Sequence, residues 1–361
     1  MKSQLARDVT RQLDRGGRIL VTRLDYLGDV ILSLPLVRAL QRRFPDAEID
    51  YLTRRQGADV LTGEPGLGRV FRVPEKREGT GAMIRLIRGL RRRRYGAAID
   101  LYSNPRSAVL CRLSGARLRI GGARRIRRHL YTHALRVPAA VRAATEHHLF
   151  FGKCLGVEAG AEKPNLTISE SEIEKAGAVL ASLGCGDRRP LVGIHPGGKW
   201  EVKRWPGDRF TSLAERLIER GCRVAVFCGP GEQDYRDAMR GRLGERAAYV
   251  PSLGVRETAA VIHELDGIVV CDGGIMHVSV AVGTPTVGIF GSSEPDVWFP
   301  YERYGPYTPA WVPVACRPCH SHFCDHLSCL NYLSVEAVER KLDSVLDGAS
   351  THPTASRQEH R

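Results

Sequence analysis

Three short segments bring carboxylates, cations and glycines together directly after apolar runs, and each could handle a charged or hydroxylated ligand. Leu27-Gly28-Asp29 follows the run Arg18-Ile19-Leu20-Val21-Thr22-Arg23 and puts a carboxylate at the start of a helical pattern. An exposed carboxylate there can take a proton from a hydroxyl as a general base. A helix N-terminus also stabilises the ionised form, so helix capping is the competing explanation. His195-Pro196-Gly197-Gly198 follows a second apolar run, and Lys203-Arg204-Trp205-Pro206 precedes a helix. Glycines at such a turn let backbone N–H groups approach a phosphate, and the lysine supplies the opposing charge. This is no Walker A loop, because the Gly-Lys-Ser/Thr ending is absent, and a plain strand–helix turn stays open. In Cys271-Asp272-Gly273-Gly274-Ile275-Met276-His277 the glycines again open a helix whose dipole favours anions. A carboxylate beside a diphosphate would repel it, so Asp272 suits sugar hydroxyls; the alternative is that Asp272 caps the helix and His277 packs within it.

Two further clusters stand apart. Cys316, Cys319, Cys324 and Cys329 lie close in sequence with His320, His322 and His326 between them. Four thiolates so spaced fit a structural zinc in a reducing compartment, with a disulfide or plain local packing as alternatives. The arginines peak at Arg91–Arg94 and again at Arg117, Arg119, Arg124, Arg125, Arg127 and Arg128. Residues 1–165 hold 33 Lys+Arg against 15 Asp+Glu, a net of +18 within a total of +14, so the rest of the chain is mildly acidic. A basic first half suits an anionic partner such as a phosphorylated glycan or the anionic face of a membrane, and a solvated surface is the bland alternative. No zinc-finger spacing, RNP-like aromatic motif or basic zipper accompanies the charge, which disfavours nucleic acid.

The elements that must position these residues read as alternating strands and helices. In the first half, strands are expected at Arg18–Arg23, Ala47–Thr53, Arg69–Val73 and Ala97–Leu101, with one helix from Gly28 to about Phe44 and another at Ala143–Leu155. In the second, strands are expected at Leu191–Ile194, Arg223–Phe227, Ala248–Val250, Gly267–Cys271 and Thr286–Phe290. Helices intervene at about Gly207–Arg220, Asp234–Leu243, Arg256–Leu265 and Met276–Val282, and a last one runs from Ser334 to about Leu346. Such alternation implies βαβ units and parallel sheets, which place ligands outside the carboxyl ends of the strands. The 361 residues suit two domains, here 1–160 and 166–332 with a linker at Gly160–Asn165, a helix over 333–347 and a polar, disordered tail over 348–361. Apolar content of 43% suits a globular protein. No run of about 18 apolar residues would cross a bilayer. The charged Met1–Arg18 segment lacks the apolar core of a signal peptide, so the cytoplasm is expected, with peripheral contact at the inner membrane compatible with the basic half.

Taken in order, the motifs resemble glycosyltransferase family 9, the ADP-heptose:lipopolysaccharide heptosyltransferases. The resemblance is carried by Ile19–Arg23 with Leu27-Gly28-Asp29-Val30 and Pro35, by Pro196-Gly197 through Lys203-Arg204-Trp205-Pro206, and by Gly229-Pro230-Gly231-Glu232. It continues through Asp272-Gly273-Gly274-Ile275-Met276-His277, Gly283-Thr284-Pro285, Phe290-Gly291 and Pro300-Tyr301. It implies an α/β GT-B fold, two Rossmann-like domains facing each other across a cleft, the first for the acceptor and the second for the nucleotide sugar. It also implies an inverting, metal-independent transfer, with no catalytic cofactor, from ADP-heptose to a lipid-linked or phosphorylated glycan of the lipopolysaccharide-core type. By position, Asp29 would be the base and Lys203 would meet the leaving diphosphate, helped by backbone near Gly197, Gly198 and Lys199. Glu232 would hold the ribose, and Asp272, Gly273, Gly274 and His277 the sugar and diphosphate. Arg124, Arg125, Arg127 and Arg128 would face the acceptor. The sequence departs at Gly273, where family members usually carry Ser or Thr, and near Gly198–Lys199, where hydroxyl residues are common. Both departures bear on the donor sugar rather than on the fold. A nucleotide-sugar 2-epimerase or a non-catalytic binding protein would share the fold; a Rossmann dehydrogenase is disfavoured because no Gly-x-Gly-x-x-Gly follows the first strand.

Overall fold

Short apolar runs bounded by turns become strands, and the central ones are buried on both faces, as parallel sheets require. In the computed structural model, which describes residues 4–13, 16–158, 162–186 and 190–351, the chain divides into units Met1–Pro164 and Asn165–Arg361. The first unit holds β1 (Arg18–Thr22), β2 (Glu48–Thr53), β3 (Leu67–Arg72), β4 (Ala97–Asp100), β5 (Leu118–Gly122) and β6 (His133–Leu135). The second holds β7 (Leu191–His195), β8 (Arg223–Val226), β9 (Ala248–Tyr249), β10 (Gly267–Cys271), β11 (Thr286–Ile289) and β12 (Tyr307–Ala310).

Both sheets are parallel throughout, in the orders β3-β2-β1-β4-β5-β6 and β12-β11-β10-β7-β8-β9. Counted from its own first strand, the second unit repeats the order of the first. Each sheet reverses direction of winding once, between β1 and β4 and between β7 and β10. At such a switch point adjacent loops diverge and leave a crevice outside the strand ends. All three chemistry-bearing segments leave one of these four strands.

Several expectations need correction. The helical pattern from Gly28 to Phe44 is two helices, Leu27–Ile31 and Leu34–Arg43, because Pro35 has no N–H to continue the ladder and fits the first turn of a new helix. Strands β5, β6 and β12 were not expected. The final helix runs Val335–Thr351, so Gly348–Thr351 belong to it rather than to a tail. Residues 352–361, and Gly160 and Ala161 of the proposed linker, lie outside the described residues. Val338, Leu342 and Val345 of the final helix are buried in the core of the second unit, and its Glu339 is held by Arg216 and Arg220.

The arginine runs are partly structural. Arg93 donates to buried Asp50 from Nε at 2.7 Å and Nη2 at 3.1 Å, and Tyr95 OH adds 2.7 Å. Arg119 donates to the carbonyls of Ala116 and Leu130. Arg91, Arg92, Arg124 and Arg128 are exposed.

Candidate active site

In the first unit the chain leaves β1 as Arg23-Leu24-Asp25 and enters the helix Leu27–Ile31. Asp29 is buried in that helix, whose N-terminal flanking residue is Tyr26 with no side-chain cap. Capping therefore does not explain Asp29. Its carboxylate pairs instead with the Arg23 guanidinium. Arg23 also meets Asp25 at 3.0 Å, donates from Nη1 to the Leu101 carbonyl at 2.8 Å, and lies 5.2 Å from the Tyr102 ring centroid. Burial pushes the Asp25 carboxyl above its ordinary range, against the pull of Arg23.

The loop after β4 is fixed by Asp100, which accepts from the N–H groups of Tyr102 and Ser103 and from Tyr131 OH at 2.7–3.1 Å. Two carboxylates sharing one cation thus sit at the switch point of the first sheet. Arg23 and Asp25 were missed in the sequence although they flank Asp29; a charged pair directly after a strand was the available signal. Of the proposed acceptor arginines, Arg127 donates to the Ser103 carbonyl at 3.1 Å, bringing that run to the loop after β4. Arg124 precedes the 3₁₀ turn Arg125–Leu130, and the side chain of Arg125 lies outside the described residues.

In the second unit, β7 and β10 deliver the other two segments side by side. Lys203 Nζ lies 2.7 Å from Asp272 Oδ2, with the carboxylate almost fully buried. The lysine is anchored by its neighbour Trp205, which is fully buried, stacks edge-on against Phe210 at 5.0 Å and donates from Nε1 to the Leu333 carbonyl at 3.0 Å. The helix Gly274–Ala281 is preceded by Gly273 with no side-chain cap, so Asp272 is not a cap either. Asp272 accepts instead from Ser293, in the loop after β11. That serine was also missed; hydroxyls one turn beyond a strand were its only signal. It brings a hydroxyl to Asp272 from a different strand than position 273.

The glycines divide by cause. At Gly197 the Glu232 carboxylate occupies the place a Cβ would take. At Gly198 and Gly273 a Cβ would meet nothing closer than 3.5 Å, and Gly273 is in extended backbone that any residue adopts. Glu232 accepts from Gly229 N–H at 2.7 Å and lies 3.5 Å from His195 Nε2. Burial holds the His195 imidazole below the ordinary histidine range, with Glu232 pulling the other way. Gly231 is at φ +84°, which a side chain would strain. His277 is buried, its Nδ1 3.2 Å from Tyr301 OH, and Lys199 is exposed with Nζ 5.1 Å from the Trp200 ring centroid.

A matched pair of substitutions checks this division. Gly197→Ala must displace Glu232, and overpacking of that kind costs about 1–3 kcal/mol. Gly273→Ser should leave the melting temperature unchanged. Equal melting curves for both variants would show that Glu232 moves freely and does not fix the loop.

The structural-zinc reading of the four thiolates gains no support. Among the described residues no group of three or more His, Cys, Asp or Glu side chains could hold a metal ion. Cys329 packs with Leu330 into the apolar core, Cys324 Sγ accepts from Leu327 N–H at 3.4 Å, and Cys316 and Cys319 are exposed. Cys316, Cys319 and Cys324 stay close enough to reinforce the upward push of burial on the Cys329 thiol, so the four differ in exposure rather than in neighbourhood.

Residues 83–326 match the glycosyltransferase family 9 (heptosyltransferase) model. Lipopolysaccharide heptosyltransferase 3 of Escherichia coli strain K12 is 26% identical over 289 residues, covering 76% of this chain and 83% of that protein. The solved E. coli ADP-heptose lps heptosyltransferase II superposes with a TM-score of 0.78 at 22% identity, covering 92% of this chain and 99% of that one. E. coli heptosyltransferase WaaC with ADP-2-deoxy-2-fluoro heptose gives 0.71 at 19%, covering 90% and 99%. The two parallel α/β units are those of the GT-B fold, and the matched stretch takes in β7, β10 and the loops holding Lys203, Glu232 and Asp272. The chain belongs to glycosyltransferase family 9, the heptosyltransferase family, and is a glycosyltransferase.

Proposed function

We propose that this enzyme transfers heptose from ADP-heptose to a lipopolysaccharide-core or related phosphorylated glycan, with inversion and without a metal ion. The observation that carries the reading is the pairing of Lys203 with Asp272 at the switch point of the second sheet, where a diphosphate would meet a fixed cation. In a single displacement the acceptor hydroxyl oxygen bonds to the anomeric carbon as the bond to the ADP oxygen breaks. The hydroxyl proton goes to Asp29, and the charge that develops on the diphosphate is met by Lys203 and backbone N–H groups around Gly198 and Lys199. Glu232 holds the ribose hydroxyls, and Asp272, Gly273, Gly274 and His277 line the sugar and diphosphate. The first unit, Met1–Pro164, takes the acceptor and the second, Asn165–Arg361, the donor. The solved relative with a fluorinated ADP-heptose supports this choice of donor. No helix among the described residues is long and apolar enough to cross a membrane; we place the enzyme in the cytoplasm, meeting its lipid-linked acceptor at the inner-membrane face.

The test is release of ADP from ADP-heptose with and without a heptose-deficient core acceptor. Product that appears only with the acceptor, and equally in EDTA, is expected. Turnover without acceptor would make the protein an epimerase-type enzyme, binding without product would make it a binding protein, and loss in EDTA reversed by Mg²⁺ would end the metal-free mechanism.

Replacing Arg124, Arg125 and Arg128 by Ser should raise the acceptor KM and flatten its salt dependence while sparing ADP affinity. Each arginine near an anionic surface contributes about 1 kcal/mol. Arg127 is left in place because it holds the Ser103 loop. An acceptor KM unmoved at low salt would return the run to a solvated face.

A further inference from the structure

The cysteine-rich segment between β12 and the short helix Ser328–Asn331 has no part in the proposed transfer, yet it is tied to the loop that carries Lys203 and to the loop after β11 whose Ser293 donates to Asp272. On one side it grips the loop after β11. The N–H groups of Cys319 and His320 donate to the Ser292 carbonyl at 3.2 and 3.1 Å, and Ser292 Oγ donates to the Ser321 carbonyl at 3.3 Å. Arg317 donates from Nη2 to the Ser293 carbonyl at 2.8 Å, with its guanidinium 4.4 Å from the Trp311 ring centroid, and His320 Nε2 lies 3.2 Å from Glu294. On the other side the His322 ring stacks on Trp200 at 4.3 Å, tilted by 33°. Trp200 in turn accepts from the Lys203 N–H at 3.0 Å, closing the 3₁₀ turn Glu201–Lys203.

These contacts form two short chains that end on the same ion pair. Arg317 holds the backbone of Ser293, and the Ser293 hydroxyl donates to Asp272. His322 holds Trp200, whose carbonyl fixes the turn of Lys203. Loops after strands have no ladder of their own, so their position is set by such ties. We propose that residues 317–322 are a clasp that sets the spacing of Lys203 and Asp272 for the donor diphosphate, with Arg317 and His322 as positioning residues. The clasp rests on the donor-site reading given above.

The experiment measures ADP affinity by calorimetry, KM for ADP-heptose and acceptor, and melting temperature for four variants. Arg317→Ala should weaken ADP binding and raise the donor KM about tenfold, within the range of couplings carried through intervening residues. Arg317→Lys, which keeps a cationic donor, should recover most of this. His322→Ala should weaken ADP about threefold, the scale of a lost ring stack. Acceptor KM should not move in any of them. His322 is exposed, so its variant carries the test should Arg317→Ala fail to fold. Lys203→Ala is the reference. ADP affinity unchanged in Lys203→Ala would remove the donor-site reading, and the clasp with it. ADP affinity lowered in Lys203→Ala but within twofold of wild type in Arg317→Ala and His322→Ala would overturn the clasp alone. Equal losses of melting temperature with unaltered ADP affinity would make the segment merely structural.

Discussion

Asp29→Asn is expected to lower turnover by about 10²–10⁴, the usual scale for loss of a general base, while donor affinity stays near wild type. Asparagine keeps an oxygen to accept from Arg23 but cannot take a proton. The structure makes this comparison sharper than capping arguments could. Asp29 is not a cap, so the variant removes no capping hydrogen bond and takes only a negative charge from the first turn. It does remove one of two carboxylates from Arg23. Breaking a buried pair outright costs about 3–5 kcal/mol, but Asp25 still neutralises the guanidinium, so a much smaller loss is expected. Asp25→Asn is the control because it removes the other carboxylate from the same cation. If Asp29 acts only as a partner for Arg23, the two variants should lose activity and stability alike. A folded Asp29→Asn enzyme within tenfold of wild-type turnover would place the base elsewhere.

Lys203→Ala should cost about tenfold to 150-fold in turnover, corresponding to a charge-assisted contact of about 1.5–3 kcal/mol at the leaving group. Two effects are superposed in that variant. The cation that meets the diphosphate is gone, and Asp272, almost fully buried, is left as an uncompensated anion beside the site. Adding Asp272→Asn separates them. If the second effect dominates, the double variant should regain much of the lost rate and melting temperature. If the cation itself stabilises the leaving group, turnover stays low after stability returns. Near-wild-type turnover in folded Lys203→Ala would remove this residue from the mechanism.

Much of this site was legible before any coordinates. Apolar runs of strand length, each followed by Gly-Asp, Gly-Gly or Asp-Gly-Gly, fix where the strands end and which side chains emerge there, because chain punctuation is local. The same locality explains what was missed. Leu118–Gly122 and His133–Leu135 are short, and the first is interrupted by Arg119, so neither reads as a strand until β4 pairs with β5 and β5 with β6. The cysteines share a segment of sequence, but only the fold decides that Cys329 enters the core while Cys316 and Cys319 stay exposed. Strand order likewise depends on crossovers that no local pattern specifies, and it alone brings the β7 and β10 loops together so that Lys203 meets Asp272. Residue type and spacing thus determined which groups could act. Only the tertiary structure decided their partners: Arg23 for Asp29, Ser293 for Asp272, Glu232 against Gly197. Ion pairs and hydrogen bonds are satisfied by whatever the fold places within about 3 Å, however distant it is along the chain.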